Sequence, residues 1–266
     1  MSSPLTSTPV ERYGDVLVKR EDLCCPDPRG PQFSKMRGVI EHMLSRPEMT
    51  IGVLDTSHSQ GGNAVAYACH LLGKRAVVYW PRRKADIGDA LRPQQEAARV
   101  LGARLVALPA GRSAVLYHRA KSDLSTTPDS YMYPNALKLP EMVTATAAEV
   151  RNTLEIIEAR TVVVSISSGT IGAGVFRGLA HIGWEGRLIL HMGYSRSKAA
   201  VLKYVYGMAG EIDAPGIEVS LIDEGFAYGD AISYPCPFPS NKFYDLKAYR
   251  WLQANPQPDC LFWNVG

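Results

Sequence analysis

The stretch VVVSISSGTIGAGVFRGLA, residues 162–180, opens on a β-branched apolar run and closes on a run compatible with a helix. Between the two lie Ser167, Ser168, Gly169, Thr170, Ile171 and Gly172. A continuously apolar strand is covered on both faces, as in parallel sheets with helices above and below. N–H groups at a helix start, helped by Ser and Thr hydroxyls, make a ready anion site, and glycine lets the backbone approach a phosphate closely. Neither the GxGxxG of dinucleotide turns nor the Lys-Ser/Thr of P-loops is present, which weighs against a dinucleotide or a nucleoside triphosphate. A plain strand–helix turn with capping hydroxyls would use the same residues.

On either side, short apolar runs alternate with helical patterns. Residues 15–18, 50–57, 75–80, 104–108, 161–167, 187–192, 217–222 and 260–263 read as strands. Residues 61–73, 90–102, 140–158 and 196–210 read as helices, with proline near a start or glycine past an end. The alternation predicts an open α/β fold with largely parallel sheet. Residues 233–241, SYPCPFPSN, are too rich in proline for a central strand and read as a shaped loop.

The chain of 266 residues suffices for one large domain or two small ones. Lys and Arg exceed Asp and Glu by 29 − 26 = 3, too little to imply a nucleic-acid or membrane surface. The basic cluster PRRKAD (81–86) reads as a solvated loop. No apolar segment follows a basic start, so no signal peptide is expected, and no run approaches the ~18 apolar residues of a membrane span. The five cysteines are scattered and form no CxxC pair, which fits a reducing compartment. The expected location is the cytoplasm, with no metal site.

Two other segments could carry chemistry. LDTSHSQGGNAVAYACHLLG (54–73) runs from a strand through hydrogen-bonding residues into a helix, a setting suited to a carboxylate. His58 there is either a base or a solvated loop histidine; His70 reads as packed or exposed. Upstream, GPQFSKMRGV (30–39) places Lys35 at the entrance to a helix. Burial or cationic neighbours would make it a Schiff-base amine. Taken alone, it reads as a surface lysine.

Together these segments resemble the fold-type II pyridoxal-phosphate enzymes, the tryptophan synthase β-like group. The resemblance is carried by VKREDL (18–23), FSKMRG (33–38), TSHSQGGNAVAYA (56–68) and SSGTIGAG (167–174). YPCPFPSNKFYDLKAYRWL (234–252) and PDCLFWNVG (258–266) are similar to the 1-aminocyclopropane-1-carboxylate deaminase and D-cysteine desulfhydrase branch. The resemblance implies two open, largely parallel twisted sheets flanked by helices, with pyridoxal 5'-phosphate in the cleft between domains. It implies a large cofactor-binding domain, 1–45 and 140–266, and a small inserted α/β domain, 46–139, carrying the carboxylate loop. Lys35 would form the Schiff base, Gln60 would sit beside the cofactor's phenolic oxygen, and Ser240 would meet the pyridine nitrogen. Ser167, Ser168, Gly169, Thr170, Ile171 and Gly172 would hold the phosphate. Ser57, His58, Ser59 and Gly61 would take the substrate carboxylate, with Ser59 also catalytic. A homodimer is implied as well.

The sequence departs from the family at several of these places. Ser167 and Ser168 replace glycines, Gln60 and Ser34 replace asparagines, and the chain ends directly after its last strand, which implies a site without a closing tail. The activity implied is that of a lyase or deaminase on a small-molecule amino acid or amine, by Cα deprotonation, elimination or ring opening. A neutral Ser240 at the pyridine nitrogen favours elimination over transamination. A second reading is an enzyme with the same cofactor acting, by decarboxylation, on an amino acid attached to a larger group such as a modified nucleobase; nucleic acid would enter only as the substrate's carrier. A third is a non-catalytic cofactor-binding or regulatory module, against which the retained Lys35 argues. Tyr228, Tyr234 and Tyr244 are candidates to sit over the ring or near the substrate, or are packed aromatics; Asn135 is a site or a loop cap.

Overall fold

The computed structural model describes residues 5, 7–25, 27, 30–31, 33–55, 58–82 and 91–266. The chain divides into two compact units, one of residues 1–26, 32–38 and 140–266, the other of 27–31 and 39–139.

The chain begins with β1 (Val10–Tyr13), β2 (Val16–Arg20) and α1 (Met36–Leu44), whose first residues belong to the first unit and the rest to the second. The second unit continues through β3 (Thr50–Leu54), α2 (Gly61–Leu71), β4 (Arg75–Arg82), α3 (Pro93–Val100), β5 (Arg104–Pro109), α4 (Ser113–Leu124) and β6 (Ser130–Met132). The first resumes with α5 (Pro140–Asn152), β7 (Thr161–Ile166), α6 (Thr170–His181) and β8 (Gly186–Met192). It closes with α7 (Lys198–Ala209), β9 (Ile217–Ile222), α8 (Asp245–Ala254) and β10 (Cys260–Asn264).

The first unit's sheet has the order β1-β2-β10-β7-β8-β9, parallel except for the edge strand β1. The second unit's sheet, β5-β4-β3-β6, is parallel throughout. Every residue of β7 and of β10 is buried, as strands covered on both faces require. Register lines up Val18, Phe262, Val163 and Ile189 across four strands, and Ala248, Tyr249 and Leu252 of α8 pack on that row. Also in this unit, α5 and α6 approach so closely that a Cβ on Gly174 or Gly178 would lie 2.5 Å from Thr146 or Val150. The second unit buries Leu54, Val77 and Tyr79 against Leu116, Ala120 and Leu124 of α4, a spacing of one helical face.

Several expectations need correction. The helix expected over 140–158 stops at Asn152, Thr153 turns extended, and Leu154–Ile157 forms a separate 3-10 turn. Leu154 and Ile157 prolong the apolar pattern but are exposed, so the pattern there marks no buried face. Pro81 and Arg82, expected in a loop, end β4; residues 83–86 of that cluster lie outside the described residues. The strand expected over 50–57 ends at Leu54, with residues 56–57 outside the described set. The strands β1 and β6 and the helices α4 and α8 were not expected. Among the described residues, no helix is long and apolar enough to cross a membrane, and no group of His, Cys, Asp and Glu could hold a metal.

Candidate active site

The chain leaves the buried strand β7 at Ile166 and turns into α6 through Ser167, Ser168 and Gly169. Gly169 makes the turn at φ +96°, where a side chain is strained, and a Cβ there would lie 3.0 Å from the Tyr204 ring. The Ser168 N–H donates to the Ser167 hydroxyl at 2.7 Å. The Ser168 hydroxyl lies 3.1 Å from that of Thr170, which lies 3.0 Å from that of Tyr204. The opening N–H groups of α6 have no carbonyl within the helix to bond. Backbone donors and hydroxyls thus surround one turn at a positive helix end, a donor set that suits a phosphate.

Lys35 reaches this turn. Its side chain is buried, against the surface position that the segment alone suggests, and Nζ donates to Ser168 Oγ at 3.3 Å. The Phe33 ring lies 5.8 Å from the ammonium. The backbone around Lys35 is held from two sides. Ser34 N–H donates to the Val265 carbonyl, beyond β10, at 2.9 Å. On the other side, Arg37 bonds Glu21 at 2.9 Å and lies 3.5 Å from Glu149, which pairs with Lys19 at 2.6 Å. Burial pushes the Glu149 carboxyl up, but the hydrogen bond and charge of Lys19 outweigh it and hold the group below its usual range. The VKREDL motif thus belongs to a buried ion network bracing the first turn of α1, a role its spacing does not disclose.

Ser240 lies in the proline-rich loop, and its Oγ is out of water with no hydrogen-bond partner among the described residues. The Asn264 amide donates to Pro239 O at 2.9 Å and to Asp22 at 2.8 Å, so the end of β10 fixes the backbone beside Ser240. Asp245, fully buried at the start of α8, accepts the Val265 N–H at 3.2 Å. Burial pushes its carboxyl up to about 8.

The other expected site residues lie in the second unit, except Ser57, which is outside the described residues. Ser59 Oγ accepts the Gly61 N–H at 3.3 Å, at the start of α2. The Gln60 side chain accepts from the Asn63 amide at 3.5 Å. His58 Nδ1 lies 3.5 Å from an Arg92 nitrogen, a partner that no motif marks. Asn135 donates to Ser113 Oγ at 2.8 Å, a loop contact at the head of α4. In the first unit, Tyr234 packs edge-on to Tyr249 of the core. Tyr194, Arg196 and Tyr204 carry no motif; Asn264 lies in the PDCLFWNVG stretch, but its hold on the loop beside Ser240, like the Tyr204 contact with the phosphate-type turn, is set by the fold.

A buried lysine on a hydroxyl-rich turn at a helix start is a setting for an aldehyde cofactor bearing a phosphate. Comparison with known proteins agrees: residues 3–214 match the family described as pyridoxal-phosphate dependent enzyme. The chain belongs to that family. Its cofactor is therefore pyridoxal phosphate. This family member is 52% identical to the glycyl-dTMP PLP-dependent decarboxylase of Pseudomonas phage M6, over 98% of this chain and 99% of the phage protein. Among solved structures it is similar to an ACC deaminase homologue, with a TM-score of 0.82 at 17% identity, covering 98% of this chain and 89% of that one. An L-serine ammonia-lyase from Rhizomucor miehei matches at a TM-score of 0.69 and 14% identity, covering 98% and 93%. These likenesses bear out the expected fold-type II architecture. The donor set at the turn fits the cofactor's phosphate, and the Ser240 hydroxyl, without a partner among the described residues, fits its ring nitrogen.

Proposed function

We propose that this pyridoxal-phosphate enzyme decarboxylates an amino acid carried on a pyrimidine nucleotide, of the glycyl-dTMP kind. The observation that carries the reading is the 52% identity to the phage decarboxylase along nearly the whole of both chains. The solved structures of enzymes named for free amino acids are 17% identical or less and speak for the fold alone. The base-borne substrate is thus favoured over a free amino acid, and decarboxylation over deamination.

When bound, the cofactor supplies an aldehyde for a primary amine and a ring that takes up the electron pair left as CO2 departs. A substrate for that chemistry presents a primary amine and a free carboxylate on one carbon, so a glycyl group on a base must be joined through that carbon. In this reading Lys35 Nζ holds the cofactor and, once displaced, returns a proton to the α-carbon. The Ser168 hydroxyl, 3.3 Å from Nζ, keeps the amine oriented between those tasks. The turn from Ser167 to Gly172 holds the phosphate, and Ser240 Oγ donates to the ring nitrogen without bringing a charge. In the same reading Ser57, His58, Ser59 and Gly61 would take the substrate carboxylate, with Ser59 also catalytic, and Gln60 would sit beside the cofactor's phenolic oxygen.

Purified protein supplied with pyridoxal phosphate should show a visible absorbance band that borohydride reduces and that Lys35→Ala lacks. Given glycyl-dTMP, it should release CO2 and leave a product lighter by that mass. Release of keto acid and ammonia from 1-aminocyclopropane-1-carboxylate, D-cysteine or L-serine, with no CO2 from glycyl-dTMP, would overturn the reading.

A further inference from the structure

In α/β sheets, ligands bind outside the carboxyl ends of the strands. Three loops leave that end of the first unit's sheet side by side. The loop after β7 is the phosphate-type turn. The loop after β8 carries Gly193, Tyr194, Ser195 and Arg196, and that after β9 carries Phe226 and Tyr228. Ser195 N–H donates to Phe226 O at 2.7 Å, and Lys247 Nζ donates to Gly193 O at 2.6 Å, so the second and third loops are tied together and held from α8.

On these loops Tyr194 and Tyr228 meet edge to face, with centroids 5.1 Å apart and planes at 89°. The Arg196 guanidinium lies over the Tyr194 ring at 5.3 Å. Its Nη2 is out of water and has no hydrogen-bond partner among the described residues. The carboxylates on the neighbouring loop are otherwise engaged: Asp223 accepts from Ser195 Oγ at 2.8 Å, and Glu224 takes Arg250 at 2.6 Å and His191 at 2.9 Å. A guanidinium nitrogen without water or acceptor is costly, and its geometry matches a phosphate. Burial pushes the Tyr204 phenol up, against the hydrogen bond of Thr170 and the charge of Arg196.

We propose that Arg196, flanked by Tyr194 and Tyr228, is the subsite for the 5'-phosphate and base of a pyrimidine nucleoside monophosphate. Two phosphate monoesters could meet such a guanidinium, the cofactor's and the substrate's. The substrate's is favoured because the turn already supplies the cofactor phosphate with hydroxyls and helix N–H groups, and because an aromatic pair beside the cation suits a base. The inference rests on the nucleotide reading above and assigns that reading's specificity to named side chains.

The test is a binding titration of the cofactor-loaded protein with dTMP and with thymidine, by calorimetry, in wild type, Arg196→Ala and Arg196→Lys. Wild type should bind dTMP at least about tenfold more tightly than thymidine, the scale of one charge-assisted contact. Arg196→Ala should abolish that preference, with Arg196→Lys intermediate. The cofactor's own affinity, followed by its visible absorbance, should not change. Equal binding of dTMP and thymidine by wild type would overturn the subsite even if one variant failed to fold. A loss of cofactor affinity in Arg196→Ala, with the dTMP preference kept, would assign the guanidinium to the cofactor. Should dTMP bind through Arg196 while glycyl-dTMP releases no CO2, the reaction falls and the subsite stands. Turnover of glycyl-dTMP with no effect of Arg196→Ala on its KM or on dTMP binding gives the reverse.

Discussion

Lys35 is the residue on which sequence and structure meet most directly. Its motif carries a family resemblance, and its burial and its bond to Ser168 are what turn a lysine in a wet-looking segment into an amine with a task. Asp245 could not be read that way. Nothing in NKFYDLKAY marks a carboxyl enclosed by the fold and hydrogen-bonded to the backbone beyond β10. Its pKa rises from 3.8 unfolded to about 8 folded, so the folded state binds the proton more tightly. The stability this group contributes is therefore full below pH 3.8 and is lost as pH rises through about 8. Denaturant midpoints of wild type and Asp245→Asn should show the wild type losing ground to the variant across that interval. A difference constant with pH would mean that the carboxyl does not titrate as described.

At the scale of elements, the buried parallel strands were legible because their apolar runs are continuous, whereas β1 and β6 are short edge strands with little apolar signal. The helix pair α5–α6 was legible as two helices but not as a contact. Gly174 and Gly178 read as weak points of a helix, yet they are where α5 comes closest. Gly178→Ala would place a methyl 2.5 Å from Val150 Cβ and should cost about 1–3 kcal/mol in chemical denaturation, the usual penalty of overpacking. Gly207, in α7, has open space around it, and Gly207→Ala should instead gain about 0.5–1 kcal/mol from helix propensity. The two substitutions share chemistry and differ only in surroundings, so equal effects would contradict the packing.

At the scale of the whole molecule, the resemblance supplied what periodicity could not, the gathering of segments distant in sequence. Periodicity gave an α/β fold and a parallel sheet; it did not show that the strands belong to two sheets, or that one unit is made of pieces from both ends of the chain. The phosphate-type turn was readable because its donors are contiguous. The contacts of Tyr204 and Asn264 were not, because their partners lie tens of residues away or more, and Arg196, over a ring only two residues back, carries no motif. The ion network behind Lys35 joins Lys19, Glu21, Arg37 and Glu149 in the same way.

The place of β10 in its sheet sets an order of events during synthesis. It is made after every other strand described here, yet it lies between β2 and β7, and the carbonyl just past it holds the backbone of Ser34. A nascent chain can close the sheet of 39–139 from contiguous sequence while β2 still lacks its central neighbour. Ribosome-bound chains halted before Cys260 should then resist protease within 39–139 and be cut around Lys35, and protection of both regions together would argue otherwise. The cofactor lysine would leave the ribosome well before β10 and be secured only after it.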